Sequence, residues 1–157
     1  MGNSLIILHA MTAEIGLFAF LWVLVELLSP DAARINRDRI AAGFGLVCLL
    51  AAWVMGGYYY FNIYGAGIKP VIKAGDAPWV HSVVMEVKEH VFLFVPVLAA
   101  VVFGLISKYG QALIHKRDIR VSICLLAGLI FLLGFAIAGM GVIIASAYRH
   151  ALEAGLT

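Results

Sequence analysis

Charge is scarce in this sequence. Only 13% of its 157 residues are Asp, Glu, Lys or Arg, and 64% are hydrophobic. An ordinary soluble domain is nearer half apolar, so a soluble globular protein is excluded. The formal net charge of +2 is too small to argue for a nucleic-acid partner. Two cysteines, Cys48 and Cys124, cannot build a disulfide framework and read as small buried packers. The N-terminal MGNSL lacks a basic n-region, so a cleaved secretory signal is not expected. There is no Cys-x-x-Cys, no phosphate-cradling glycine loop and no nucleophile–base pair.

What the chain does have is four long apolar runs, at about 5–28, 40–61, 80–106 and 121–148. Each reaches the roughly 20 residues that a helix needs to cross a bilayer. The runs are too long for barrel strands, and only helices and closed barrels satisfy their backbone in lipid. The expected fold is an all-α, four-helix transmembrane bundle forming one domain over residues 1–157. Arg34, Arg37, Arg39, Lys108, Lys116, Arg117 and Arg120 occupy the first and third connections. Lys69, Lys73 and Arg149 are the only basic residues of the middle connection and the tails. The positive-inside rule then puts both termini outside the cytoplasm, in what reads as a bacterial inner membrane. Ser29-Pro30 stops the first helix, and Gly65, Gly67, Pro70, Gly75 and Pro78 predict a turn-rich middle connection. Tyr58–Phe61, Tyr64 and Trp79 predict an outer aromatic belt. Pro96 predicts a kink in the third helix.

The two halves echo each other. His9-x4-Glu14 and His81-x4-Glu86 open the first and third helices, and Cys-Leu-Leu-Ala follows at Cys48 and Cys124. This suggests two tandem hairpin repeats and places His9 and His81 at similar depth.

The stretch Trp79–Phe94 concentrates the polar chemistry. It carries His81, Glu86, Lys88, Glu89 and His90 inside a spanning segment. Ionisable groups there are costly and normally face a bundle interior. His90 lies roughly 13 Å further along the axis than His81. Helical phase puts Glu86 and His90 on one face and His81, Met85 and Lys88 on another. One partner cannot meet all of them. Either neighbours wrap the helix on two sides, or its first turn is irregular.

Two chemistries fit these residues. A b-type haem suits a helical bundle, with His9 on one side and His81 on the other, and with Lys69, Lys73 and Arg149 as outside cations for the propionates. A non-haem metal ion suits His90 with Glu86, Glu14 and Glu89, as a bound or transported metal. Here Glu86 would orient the His90 ring as metal-site carboxylates do. A third reading is an accessory subunit of a larger complex, in which Glu14 and Lys88 pair across helices and Glu26 meets Arg34. His150 is either a reserve outer ligand or a free surface histidine, and His115 is solvated among cytoplasmic basic residues. Expected partners are lipid, quinol or another redox membrane subunit, and a second copy of the chain.

Leu8-His9, then Gly16 and Phe20 toward Leu21-Trp22, and later Trp79-Val80-His81 followed by Lys88, resemble the copper-resistance-D proteins and the related HemJ-type protoporphyrinogen oxidases. The resemblance implies a small helical membrane protein with His9 as a b-haem ligand and Lys88 at the functional site. Glu14, Glu86 and Glu89 depart from that pattern, so the resemblance is carried to haem binding and not to the oxidase reaction.

Overall fold

The computed structural model describes residues 2–155. It contains four helices long and apolar enough to cross a membrane, and the protein is an integral membrane helical bundle. Helix α1 spans Gly2–Leu27. Helices α2, α3 and α4 run over Ala32–Ala74, Val80–Ile114 and Arg117–Ala154. Helix α1 packs on α2 and α4, and α3 packs on the same two, so α1 and α3 face each other diagonally. The terminal residues Met1, Leu156 and Thr157 lie outside the described residues, so the expected position of the two chain ends rests on the sequence.

The ends of the helices follow from local chemistry. Asp31 caps α2 by accepting from the Arg34 amide at 2.8 Å. Gly110 sits at φ +47, where a side chain is strained, and turns the end of α3 into a short 3-10 segment, Gly110–Ile114. Arg120 fixes that segment by donating to the carbonyls of Leu113 and Ile114 at 2.8 and 3.1 Å. Glu26 pairs with Arg37 through two bonds of 2.8 and 3.0 Å, not with Arg34. Arg34 instead meets Ser29 and Asp31.

The middle connection differs from the expectation. Helix α2 does not end near Phe61. It continues as a π-helical stretch, Tyr60–Ile68, and a last α-helical turn, Lys69–Ala74. Gly65 and Gly67 are absorbed by the wide turn. Pro70 falls in the first turn of the final piece, where its missing N–H costs nothing. The connection shrinks to Gly75–Trp79. Helix α3 also opens irregularly, with Val80–Met85 π-helical, which is one of the two ways its polar faces were expected to be reconciled.

Two apolar clusters result. The larger unites all four helices around residues such as Phe20, Leu49, Val95 and Ile130. The smaller, around Tyr64, Ile72, Val80, Met85 and Ile144, draws on α2, α3 and α4 among the described residues. The tightest crossing is between α1 and α2. A Cβ on Gly16 would stand 3.1 Å from Cys48 and 3.2 Å from the Gly45 carbonyl oxygen. A Cβ on Gly45 would stand 2.8 Å from Phe20 and 3.1 Å from the Gly16 oxygen. Small residues let backbones meet in a membrane. Gly16→Val is therefore expected to cost about 1–3 kcal/mol by overpacking. Its midpoint of denaturation in detergent should fall, and an unchanged midpoint would mean that the crossing relaxes freely.

Candidate functional site

The seam between the two clusters holds a cavity of about 410 Å³. Helix α1 contributes His9, α2 contributes Trp53 to Phe61, and α3 contributes Met85, Lys88, Glu89, Phe92 and Leu93. A wider groove of about 610 Å³, between Ser4–Leu8 and Tyr58–Ile63, has no charged lining residue.

His9 is the fixed point of the cavity. Its Nδ1 lies 2.8 Å from the Ala52 carbonyl oxygen. A carbonyl only accepts, so Nδ1 carries the proton and Nε2 keeps its lone pair. Metal-ligating histidines are oriented in the same way by a bond at the other nitrogen. The ring fits because residue 56 is glycine: a Cβ there would stand 2.8 Å from His9 Cε1. Phe92 meets the ring edge-on at 6.1 Å between centroids. Gly57 beside it faces open space.

Lys88 is the cavity's cation. It is half-buried, and among the described residues it has no ion pair or hydrogen bond. Its Nζ lies 3.6 Å from where a Cβ on Gly141 would be, so that glycine gives it room against α4. Glu89 is the only carboxylate in the lining, and Met85 adds a thioether.

The structure separates several residues that the sequence grouped. His81 is not at the cavity. It is buried near the start of α3, with its Nδ1 3.1 Å from the Tyr64 hydroxyl. His9 meets Phe92, eleven residues along α3 from His81. The histidines at the heads of the two hairpins therefore differ in surroundings. A pair of axial ligands from His9 and His81 is not brought together.

The proposed metal set is also divided. Glu86 and His90 are exposed on the outward face of α3, Glu14 is exposed on α1 across the bundle, and Glu89 turns inward. Among the described residues no three His, Cys, Asp or Glu side chains come together. The reason is helical phase on diagonal helices. His90 Nδ1 donates to the main-chain carbonyl of Glu86 at 2.6 Å, not to its carboxylate. Glu14 and Lys88 form no pair. Lys69, Lys73 and Arg149 lie outside the lining, as does His150, which is exposed and 4.0 Å from Glu153. His115 is exposed, as expected.

Trp53, Tyr60, Met85 and Phe92 were not singled out as site residues by the sequence. Their signal was the Gly56-Gly57 pair, which marks where α2 thins beside a ring. No protein-family model, curated protein or solved structure matches this chain.

Proposed function

We propose that the chain is a membrane b-type haem protein that passes single electrons, with the haem held at the His9 cavity. The observation that carries this reading is the bond from His9 to Ala52, which leaves one imidazole nitrogen free in an apolar, aromatic-walled space. His9 Nε2 would hold the haem iron, Met85 would offer a second donor in the same lining, and His/Met ligation is a known way of raising a haem potential. Phe92 and Trp53 would lie against the ring, and Lys88 would supply positive charge for its carboxylates. The haem would contribute reversible one-electron chemistry. The chain contributes ligation, orientation and a low-dielectric setting.

The test is an absorption spectrum of protein purified from membranes. A Soret band and reducible α-band are expected. Colourless, folded protein would end the reading. Gly56→Ala sharpens it. The added methyl meets the His9 ring and breaks its bond to Ala52, so haem affinity should fall about 10–100-fold, as for other losses of ligand support. Full haem content in that variant would mean that His9 is not held as described.

Orientation follows the basic residues. A reporter fused at the C-terminus should appear outside the cytoplasm, which puts the cavity in the outer half of the bilayer. A cytoplasmic reporter would invert that depth.

A further inference from the structure

At the end of the bundle that carries the arginine-rich connections, the core contains a carboxyl group. Asp38 is completely buried, and neither of its oxygens has a hydrogen-bond partner among the described residues. Ile35 and Ala42, about one turn to either side, belong to an apolar cluster with Leu27, Leu113 and Ile123. An unpaired carboxylate in such surroundings is far costlier than a neutral acid.

The groups able to compensate its charge are committed elsewhere. The charged neighbours of Asp38 are Glu26, Arg37 and Arg34. On α2, Arg34 meets Ser29 and Asp31, and Arg39 is exposed. On α4, Cys124 lies in the field of both Asp38 and Arg120, but Arg120 donates to the carbonyls of Leu113 and Ile114. Arg117 and Asp118 are exposed. Around the end of α3, Lys108 and Lys116 lie over the Tyr109 ring, and Gly110–Ile114 has no ionisable residue. On α1, Glu26 holds Arg37 through two bonds. The side chains of Glu26 and Arg37 are 14% and 50% exposed, so this pair joins the core carboxyl to water.

A buried carboxyl group without a donor takes a cation. A hard metal ion collects about six or more oxygen atoms. This core offers apolar side chains, and among the described residues no three His, Cys, Asp or Glu side chains come together. A proton needs a single oxygen.

We propose that Asp38 is a proton-binding site that exchanges with water through Glu26, with Arg37 as the cation the two carboxyl groups share. In the loaded state Asp38 is neutral and Arg37 pairs with an ionised Glu26. On exchange the proton moves from an Asp38 oxygen to a Glu26 oxygen, and Arg37 turns to the ionised Asp38. One proton moves and no electron does. The net charge of the three groups is unchanged by this swap, so the core never holds a bare charge. Glu26 then gives the proton to water. None of the three residues lines the His9 cavity, so the inference stands apart from the haem.

The test is infrared difference spectroscopy of the full chain in phosphatidylcholine bilayers at neutral pH. Wild type minus Asp38→Asn is expected to show the carbonyl stretch of one neutral carboxylic acid, at the high frequency of a group without hydrogen bonds. The band should shift downward in heavy water as the proton exchanges. Asp38→Leu, which keeps no polar atom there, is a second reference. Glu26→Gln frees Arg37, so in that background the Asp38 acid band should be lost and a carboxylate band should replace it. Adding Arg37→Gln to Glu26→Gln should restore the acid band. A wild-type spectrum with no acid band that either Asp38 variant removes would overturn the proposal. So would an acid band that survives Glu26→Gln, or one that heavy water leaves unshifted. Loss of the band on adding sodium would also overturn it and make the ligand a metal cation.

Discussion

Protein carrying His9→Ala is expected to be purified folded and nearly free of haem, with affinity lowered by at least about tenfold. The expectation comes from the geometry of one ring. The Ala52 carbonyl fixes the protonated nitrogen, and Gly56 leaves space for the ring that no other residue would leave. Both features orient Nε2 and cost the chain packing elsewhere. Alanine removes the donor without adding volume, so the bundle should keep its helical content. Two companions separate ligation from general damage. Met85→Leu removes the thioether at similar volume, so it should keep haem but shift the reduced spectrum toward a five-coordinate form and lower the potential. His81→Ala should keep both haem and spectrum, since His81 is engaged with Tyr64 near the start of α3. Pyridine haemochrome assays and redox titration read all three. Haem retained by His9→Ala but lost by His81→Ala would return the ligand to the outer cluster.

Much of this was legible in the residues. Apolar runs gave the four helices, since nothing else satisfies the backbone in lipid. His9 and Lys88 stood out because intramembrane polar groups are rare. The failures have specific causes. Gly65, Gly67 and Pro70 read as a turn, yet a π-helical stretch absorbs the glycines and the proline falls where a helix tolerates it. His9 and His81 looked level because each heads its own apolar run. Surroundings are set by where the helices meet: His9 faces Ala52 and Gly56, whereas His81 faces Tyr64. Trp53 and Phe92 carried no signal of their own beyond the nearby Gly56-Gly57 pair, because aromatic residues are ordinary in a span and only a neighbour across the bundle makes them walls. Asp38 was hidden by Arg37 and Arg39, which made it read as part of a solvated loop.

Asp38 leads to the second large effect: Asp38→Leu should make the protein more stable. The buried stripe of α2 runs Ile35, Asp38, Ala42, Gly45 and Leu49, and Asp38 is completely buried within it. Neither carboxyl oxygen has a hydrogen-bond partner among the described residues. Arg34 one turn away is engaged with Ser29 and Asp31, and Arg37 next door with Glu26. Leu27, Leu113 and Ile123 belong to the same buried cluster as Ile35 and Ala42 and offer no donor. An unsatisfied buried polar group costs about 1–3 kcal/mol, and an apolar replacement recovers that cost. For a chain of this length each kcal/mol moves the melting temperature by about 2–4 °C. Thermal unfolding in detergent should therefore shift upward in Asp38→Leu and less in Asp38→Asn, which keeps polar atoms in place. A carboxyl retained at this cost implies use, since stability is commonly given up at functional positions. The stabilised leucine variant should then complement a deletion strain less well than wild type. A fall in melting temperature in both variants would mean that Asp38 is satisfied in the membrane and is a structural residue.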